Sequence, residues 1–205
     1  MSWGGGEMPS EVNFYDGYFV NYGIVYLAAG GDSSDAVDYP SASPDVISCG
    51  GTTINRSASG AFVSETGWSD TGCGLSFYEA RPTYQSGISQ IVGSHRGVND
   101  ISFNANPQTG VYVYDSTPLW GEGGWWILGG TSLATPCVAG VLNEAASAGD
   151  GFAANTASEQ VRLYSYLGNG RVFRDITSGT DGKVKCTVGW DFVTGLGSPV
   201  GLSGK

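Results

Sequence analysis

The sequence predicts an α/β fold with a mainly parallel sheet flanked by helices. Three observations carry this reading. Short apolar runs stopped by glycines, GIVYLAAGG (23–31) and PDVISCGGTTI (44–54), fit strands buried on both faces. Residues 133–147 repeat apolar side chains at helical spacing, with Val138, Val141, Leu142 and Ala145 on one stripe and Gly149 as the stop. The chain is 205 residues long, enough for one domain with its own core, and no composition shift marks a boundary inside it.

The remaining elements follow in order. ETGWSDTGCGLSFYEARP (65–82) is turn-rich and reads as a loop. VYVYD (111–115) and WWILGG (125–130) read as two strands joined by a glycine-rich connection. ASEQVRLYSYL (157–167) reads as a second short helix, and the chain after Arg171 reads as loop. Alternation of strands with helices places sites at the carboxyl ends of the strands.

Composition narrows the function classes. The formal net charge is −10 and charged residues make up only 14 %, against about a quarter in an ordinary domain. Such a balance repels nucleic acid and anionic membrane, so neither is an expected partner. No run of 18 or more apolar residues is present, so no membrane span is expected. The N-terminus, MSWGGGEMPSE, shows no signal-peptide pattern. The 34 glycines have no fixed period, which excludes collagen and repeat arrays. Four cysteines, at 49, 73, 137 and 186, lack CxxC spacing and allow three full pairings that sequence does not separate. Cys137 follows Pro136 in the predicted helix and is expected to be a reduced core thiol.

Three constellations can carry chemistry. In GGTSLATP (129–136), two glycines let the backbone approach a ligand, and Ser132 then stands at a helix start, where free N–H groups and the helix dipole favour a developing negative charge. A plain helix cap is the structural alternative. In AAGGDSSD (28–35), Asp32 directly follows a buried strand, either at the catalytic edge of the sheet or as an ordinary turn aspartate. In FRDITSGTDG and VGWDFVTGLGSP, Asp175 and Asp191 lie in glycine-rich loops; two carboxylates with backbone carbonyls suit a hard cation, although the spacing is not that of an EF-hand.

Taken together, SWGGGE (2–7), AAGGDSSD (28–35), YPSASPDVISCGGTT (39–53), ETGWSDTGCGLSFYEARPTYQ (65–85), RGVNDISFNANPQTGVYVYDS (96–116), GGTSLATPCVAG (129–140) and the DIT…GWDFVTGLGSP segment (175–199) resemble, in order, the sedolisins. These are serine-carboxyl peptidases related to subtilisin. The resemblance implies a subtilisin-like fold for residues 1–205, endopeptidase action on peptide or protein substrates at acid pH, and secretion. By the same resemblance Ser132 matches the nucleophile and Asp32 the oxyanion-stabilising aspartate. Gly72, Cys73 and Gly74 match a backbone strip that pairs with an extended substrate. Asp175, Asp191 and the carbonyls of Ile176 and Gly189 match ligands of a structural calcium ion, with Thr187 where a further carbonyl would fall.

The departures are specific. The family activates its serine with a glutamate oriented by an aspartate four residues on, and the helix carrying that pair precedes the SWGG motif. Here Met1 directly precedes it, so the sequence reads as the C-terminal portion of a catalytic domain, with the first strands and that helix absent and the chain alone expected to be inactive. Glu7 and Glu11 have the right spacing, but Pro9 between them is compatible only with a first helical turn. Asn99, Asn104 and Asn106 replace the family's common Pro and Asp. Two other readings compete: a non-catalytic peptide-binding relative, and a Ser-His-Asp hydrolase using the single histidine, His95, which lacks the expected His-Gly-Thr context.

Overall fold

The computed structural model describes residues 1–119 and 121–202. Its strands are β1 (Gly5–Gly6), β2 (Leu27–Ala29), β3 (Asp38–Tyr39), β4 (Ile47–Arg56), β5 (Phe62–Gly67), β6 (Gly74–Ala80), β7 (His95–Val98), β8 (Ile101–Asn104), β9 (Val111–Leu119), β10 (Glu122–Leu128), β11 (Phe173–Arg174) and β12 (Ser198–Pro199). The helices are α1 (Glu11–Phe14), α2 (Ser89–Val92), α3 (Thr131–Ala145) and α4 (Thr156–Ser165).

Strand β4 is the spine. Its first half pairs in parallel with β2, Leu27 opposite Ile47 and Ala29 opposite Cys49. On its other side it pairs in parallel with β8, Cys49 opposite Ile101 and Thr52 opposite Asn104. Its second half turns to antiparallel pairing with β5, Thr52 opposite Gly67. Residues 47–52 are buried throughout, which explains why the sequence here shows a run rather than an alternation. Beyond β2, the Met1 amine donates to the Leu27 carbonyl, and the Ala29 amide donates to the Met1 carbonyl at 2.9 Å. Helix α3 lies across β2, β4 and β8. Val138 and Leu142 on its inner face join Leu27, Ile47, Ile101 and Leu163 in the main core.

Several predicted elements needed correction. The 65–82 segment is not all loop, because β6 occupies its second half and pairs with β7. Strand β8 was not read at all: ISFN is too short to show a period, and it is a strand because β4 offers it a ladder. The β9–β10 pair forms one long hairpin; the predicted connection includes residue 120, which lies outside the described residues. Helix α3 starts at Thr131 and passes at Ala146 into a wider turn, Ala146–Asp150, that is kinked at Gly149, at φ 129°. Cys137 is half-buried rather than a core thiol; it and the other three cysteines are free.

A polar knot sits inside the core. Arg96 and Asp100 are both wholly buried and meet in a bidentate pair, Nη1 to Oδ1 at 2.8 Å and Nη2 to Oδ2 at 2.6 Å. Asp100 also accepts the Ser48 amide, the Gln160 amide group and the Tyr164 hydroxyl, each at 2.8 Å. Arg96 spends its other donors on the carbonyls of Ser43, Val46 and Gly97. Every charge-bearing atom is thus satisfied, and β4, β7, α4 and the 43–46 turn are joined at one point. Replacing Arg96 by alanine strands a buried carboxylate. The expected loss is about 3–5 kcal/mol in urea unfolding of Arg96→Ala, and a loss below about 1 kcal/mol would mean that the pair is not wholly desolvated.

Candidate active site

Strand β2 ends at Ala29, and two glycines carry the chain to Asp32 at the sheet edge. Helix α3 begins opposite. Its cap position, Gly130, has φ 91° and ψ 165°, a backbone region open essentially to glycine alone. A Cβ at Gly130 would also stand 2.4 Å from Asp32 Oδ2. Ser132 is the second residue of the helix, so it is not the cap. Asp32 supplies that service from across the sheet: its Oδ1 accepts the Thr131 amide and the Thr131 hydroxyl, both at 2.7 Å. The carboxylate also lies where the helix dipole favours negative charge.

Ser132 is half-buried. Its Oγ donates to the Ser2 carbonyl at 3.3 Å, and the Ser2 hydroxyl donates back to the Ser132 carbonyl at 2.9 Å. Among the described residues no carboxylate or imidazole hydrogen-bonds to Ser132 Oγ. Glu7 is engaged elsewhere, by the Ser76 hydroxyl and the Phe77 amide. Glu11 is fully buried, with its Oε2 accepting the Met8 amide. His95 is exposed and pairs with Ala80 at the end of β7.

The Gly72–Gly74 strip is built differently from the expectation. The Gly72 amide donates to the Gly31 carbonyl at 2.8 Å, and its carbonyl accepts from Asn99 Nδ2 at 3.1 Å. Cys73 is buried with its thiol donating to Asp181, and Gly74 pairs with Val98. At Gly72 the amide and the carbonyl are therefore both engaged inside the chain. What the strip does is brace the site. Gly31, held by Gly72, donates its amide to Thr131 Oγ1 at 3.1 Å. Asn99, one of the departures from the family pattern, is fully buried; it also donates to the carbonyls of Phe192 and Val193 and accepts from Ser48. Asn104 and Asn106 close the turn at Pro107–Thr109. All three asparagines are structural.

Beside Ser2 opens a cavity of about 530 Å³, lined by Trp3, Met8, Tyr15, Tyr18, Phe19, Tyr39 and the Gly4–Gly6 backbone. Tyr39 packs against Tyr15 and Phe19, with ring centroids 6.3 and 6.2 Å apart. Its walls are aromatic and it starts one residue from the serine contact. The Ser2 contact, the Thr131–Asp32 bonds and this chamber carry no sequence signal, since only long-range contacts reveal them.

The C-terminal loops bring the two predicted cation ligands close to one segment. Asp175 Oδ2 accepts the Gly189 amide, and Asp191 Oδ2 accepts the Thr187 amide, both at 3.0 Å. Asp191 is buried, and its Oδ1 accepts the amides of Val193 and Thr194 and the Thr194 hydroxyl. Burial pushes the Asp191 carboxyl up to about 6, against the pull of those donors. No cation among the described side chains balances it. Asp175 is exposed and Ile176 is buried.

With this geometry in view, similarity to known proteins decides the family. The sequence profile of the subtilase family matches residues 1–183. Kumamolisin from Bacillus sp. (strain MN-32) is 33 % identical over 98 % of this chain. The chain belongs to the sedolisin family. Sedolisin from Pseudomonas sp. (strain 101) is 35 % identical over 81 % of the chain. A solved Pseudomonas sedolisin, described as a serine-carboxyl proteinase complexed with two molecules of pseudo-iodotyrostatin, superposes with a TM-score of 0.80 at 27 % identity, covering 97 % of this chain and 61 % of that one. Sphericase, at 22 % identity and a TM-score of 0.57, shares the fold. The chain spans 40 % of kumamolisin's length and 29 % of sedolisin's.

Gly130→Ala tests the delivery of the serine. The strained backbone and the contact with Asp32 together predict a loss of roughly 1–3 kcal/mol in denaturant unfolding. An unchanged midpoint would show that position 130 does not need its positive φ.

Proposed function

We propose that this chain carries the nucleophile and oxyanion side of a serine-carboxyl endopeptidase that cleaves peptide bonds in acid, outside the cell. The observation that supports it most is the placing of Ser132 in the first turn of α3, beside an aspartate already fastened to that turn. In this reading Ser132 Oγ attacks the peptide carbonyl and forms an acyl-enzyme, which water then hydrolyses. The tetrahedral oxyanion develops near the helix N-terminus and Asp32. Oδ1 of Asp32 is held by Thr131, which leaves Oδ2 to face the ligand. A carboxyl group donates a hydrogen bond only while protonated, and an ionised one would repel the oxyanion, so the reading requires acid. The aromatic chamber beside Trp3 takes an apolar side chain of the substrate.

The proton on Ser132 needs an acceptor, and the described residues offer none within reach. We place the base on a segment outside these 205 residues. A peptide-binding relative without catalysis is the second reading, and the absence of a base contact at Ser132 is what favours it. The experiment compares peptide cleavage between pH 3 and 7 by this chain, by its fusion to the upstream segment of kumamolisin, and by the same fusion carrying Ser132→Ala. Cleavage by the fusion alone, confined to acid and abolished by Ser132→Ala, is expected; loss of the serine typically costs several orders of magnitude in kcat. Binding of peptide with no cleavage by any of them would favour the second reading.

The 175–191 loops fit a calcium ion by their donors. Asp191 is a desolvated carboxylate without a cation, Asp175 approaches the same 187–189 segment, and carbonyls of Ile176 and Gly189 complete an all-oxygen set. Calcium there would supply structural cross-linking of the C-terminal loops. Calcium is expected to raise Tm, and chelator to lower it again. A melting curve indifferent to both would remove the ion from the reading.

A further inference from the structure

Four carboxyl groups gather under the wall of the aromatic chamber, away from Ser132. Glu11 opens α1 and is 0 % exposed; Glu79 on β6 is 3 % exposed; Asp16 opens the following turn and is 9 % exposed. Glu7 completes the group. They are arranged as two pairs. Glu11 is in side-chain hydrogen-bond contact with Glu7, and Glu79 with Asp16. The remaining partners are ordinary donors: the Met8 amide to Glu11 Oε2 at 2.7 Å, the Ser76 hydroxyl and Phe77 amide to Glu7, and the Tyr39 hydroxyl to Asp16 Oδ1 at 2.9 Å. No N–H or O–H group reaches Oε1 of Glu11 or Oε1 of Glu79, although both atoms are buried. A buried carboxylate oxygen facing another carboxylate lacks a hydrogen, and the contact is bonding only if one of the two acids is protonated.

We propose that the pairs Glu7–Glu11 and Asp16–Glu79 each hold one proton and together form an acid-closed clasp that fastens residues 7–19 to strand β6. The electrostatic surroundings support it. Asp38 and Tyr39 on β3 and Asp45 on the next turn face the cluster, and all are acidic or neutral. Arg96, the cation that acts on Asp45, is committed to Asp100. Among the described residues no group of three acidic, Cys or His side chains is arranged to hold a metal, so the proton is the cation that fits. Burial, then the neighbouring acids, push Glu11 up to about 7 and Glu79 up to about 8. Both acids bind protons more tightly folded than unfolded. Their contribution is complete below the ordinary glutamate range, near 4.5, and is lost as pH rises through 7 and 8. Residues 7–19 supply Met8, Tyr15, Tyr18 and Phe19 to the chamber, so the chamber keeps its wall in acid and loses it in base. Only this last consequence rests on the peptidase reading; the clasp itself does not.

The test is a carboxyl ¹³C NMR titration of the full chain, assigned with Glu11→Gln and Glu79→Gln. Apparent midpoints near 7 and 8 are expected for the two glutamates. Midpoints of both in the ordinary range near 4.5 would overturn the proposal. Thermal unfolding from pH 5 to 9 gives the second reading. Tm of the unmodified chain is expected to fall by several degrees more than that of the Glu11→Gln/Glu79→Gln chain, and equal falls would overturn the clasp. Where the double variant does not fold, the titration of the unmodified chain decides. Neither measurement requires catalysis, so a failed cleavage assay and a failed clasp remain distinguishable.

Discussion

The buried Arg96–Asp100 pair is the constraint on which the site depends. It crosses the region where β4, β7 and α4 meet, and it is sealed from water. Asn99, the neighbour of Asp100, carries that rigidity outward. Its amide holds Gly72, Gly72 holds Gly31, Gly31 holds Thr131, and Thr131 is bonded twice to Asp32. One peptide bond and three hydrogen bonds lead from the ion pair to Thr131, in the turn that presents Ser132, and two more fasten the exposed Asp32 to that turn. A buried pair of this kind is weak evidence for stability in itself. Here its value lies in geometry, since each link fixes the next and the serine stands at the end.

Acidity runs through the molecule at several depths. Asp100 is neutralised by a guanidinium, whereas Asp32 receives the amide end of a helix and Asp191 four neutral hydrogen-bond donors. The Glu7, Glu11, Asp16 and Glu79 group has donors for some of its oxygens and no cation, and Oε1 of Glu11 and of Glu79 has no donor. Of the 9 basic side chains set against 19 acidic ones, only Arg96 is buried among the described residues, and it pairs with Asp100. In the proposed clasp, protons at low pH stand in for the missing cations.

The parts of this arrangement legible in the sequence are those written in local grammar. A buried strand followed by two glycines and an aspartate, and two glycines followed by a helix with a serine in its first turn, placed Asp32 and Ser132 at facing ends of β2 and α3. β4 and α3 were legible for the same reason, as an apolar run and an apolar stripe. β8 was not, because ISFN becomes a strand only through its partner. The bonds that tie Gly72 to Gly31 and Asn99 were not legible, because sequence records a glycine's freedom and not the partners of its amide and carbonyl. Glu7 and Glu11 stood out by spacing as a possible base, yet their real partners include Asp16 and Glu79, and no spacing rule joins residue 79 to residue 16.

The most direct test of the central claim, that the facing ends of β2 and α3 form a reaction centre, is a crystal structure of the fusion to the kumamolisin upstream segment with a peptide aldehyde bound in acid. The expected result is a covalent bond from Ser132 Oγ to the aldehyde carbon, with the resulting oxygen within hydrogen-bond distance of the Asp32 carboxyl. A saturating aldehyde that leaves Ser132 unmodified, or one bonded there with its oxygen turned away from Asp32, would contradict it.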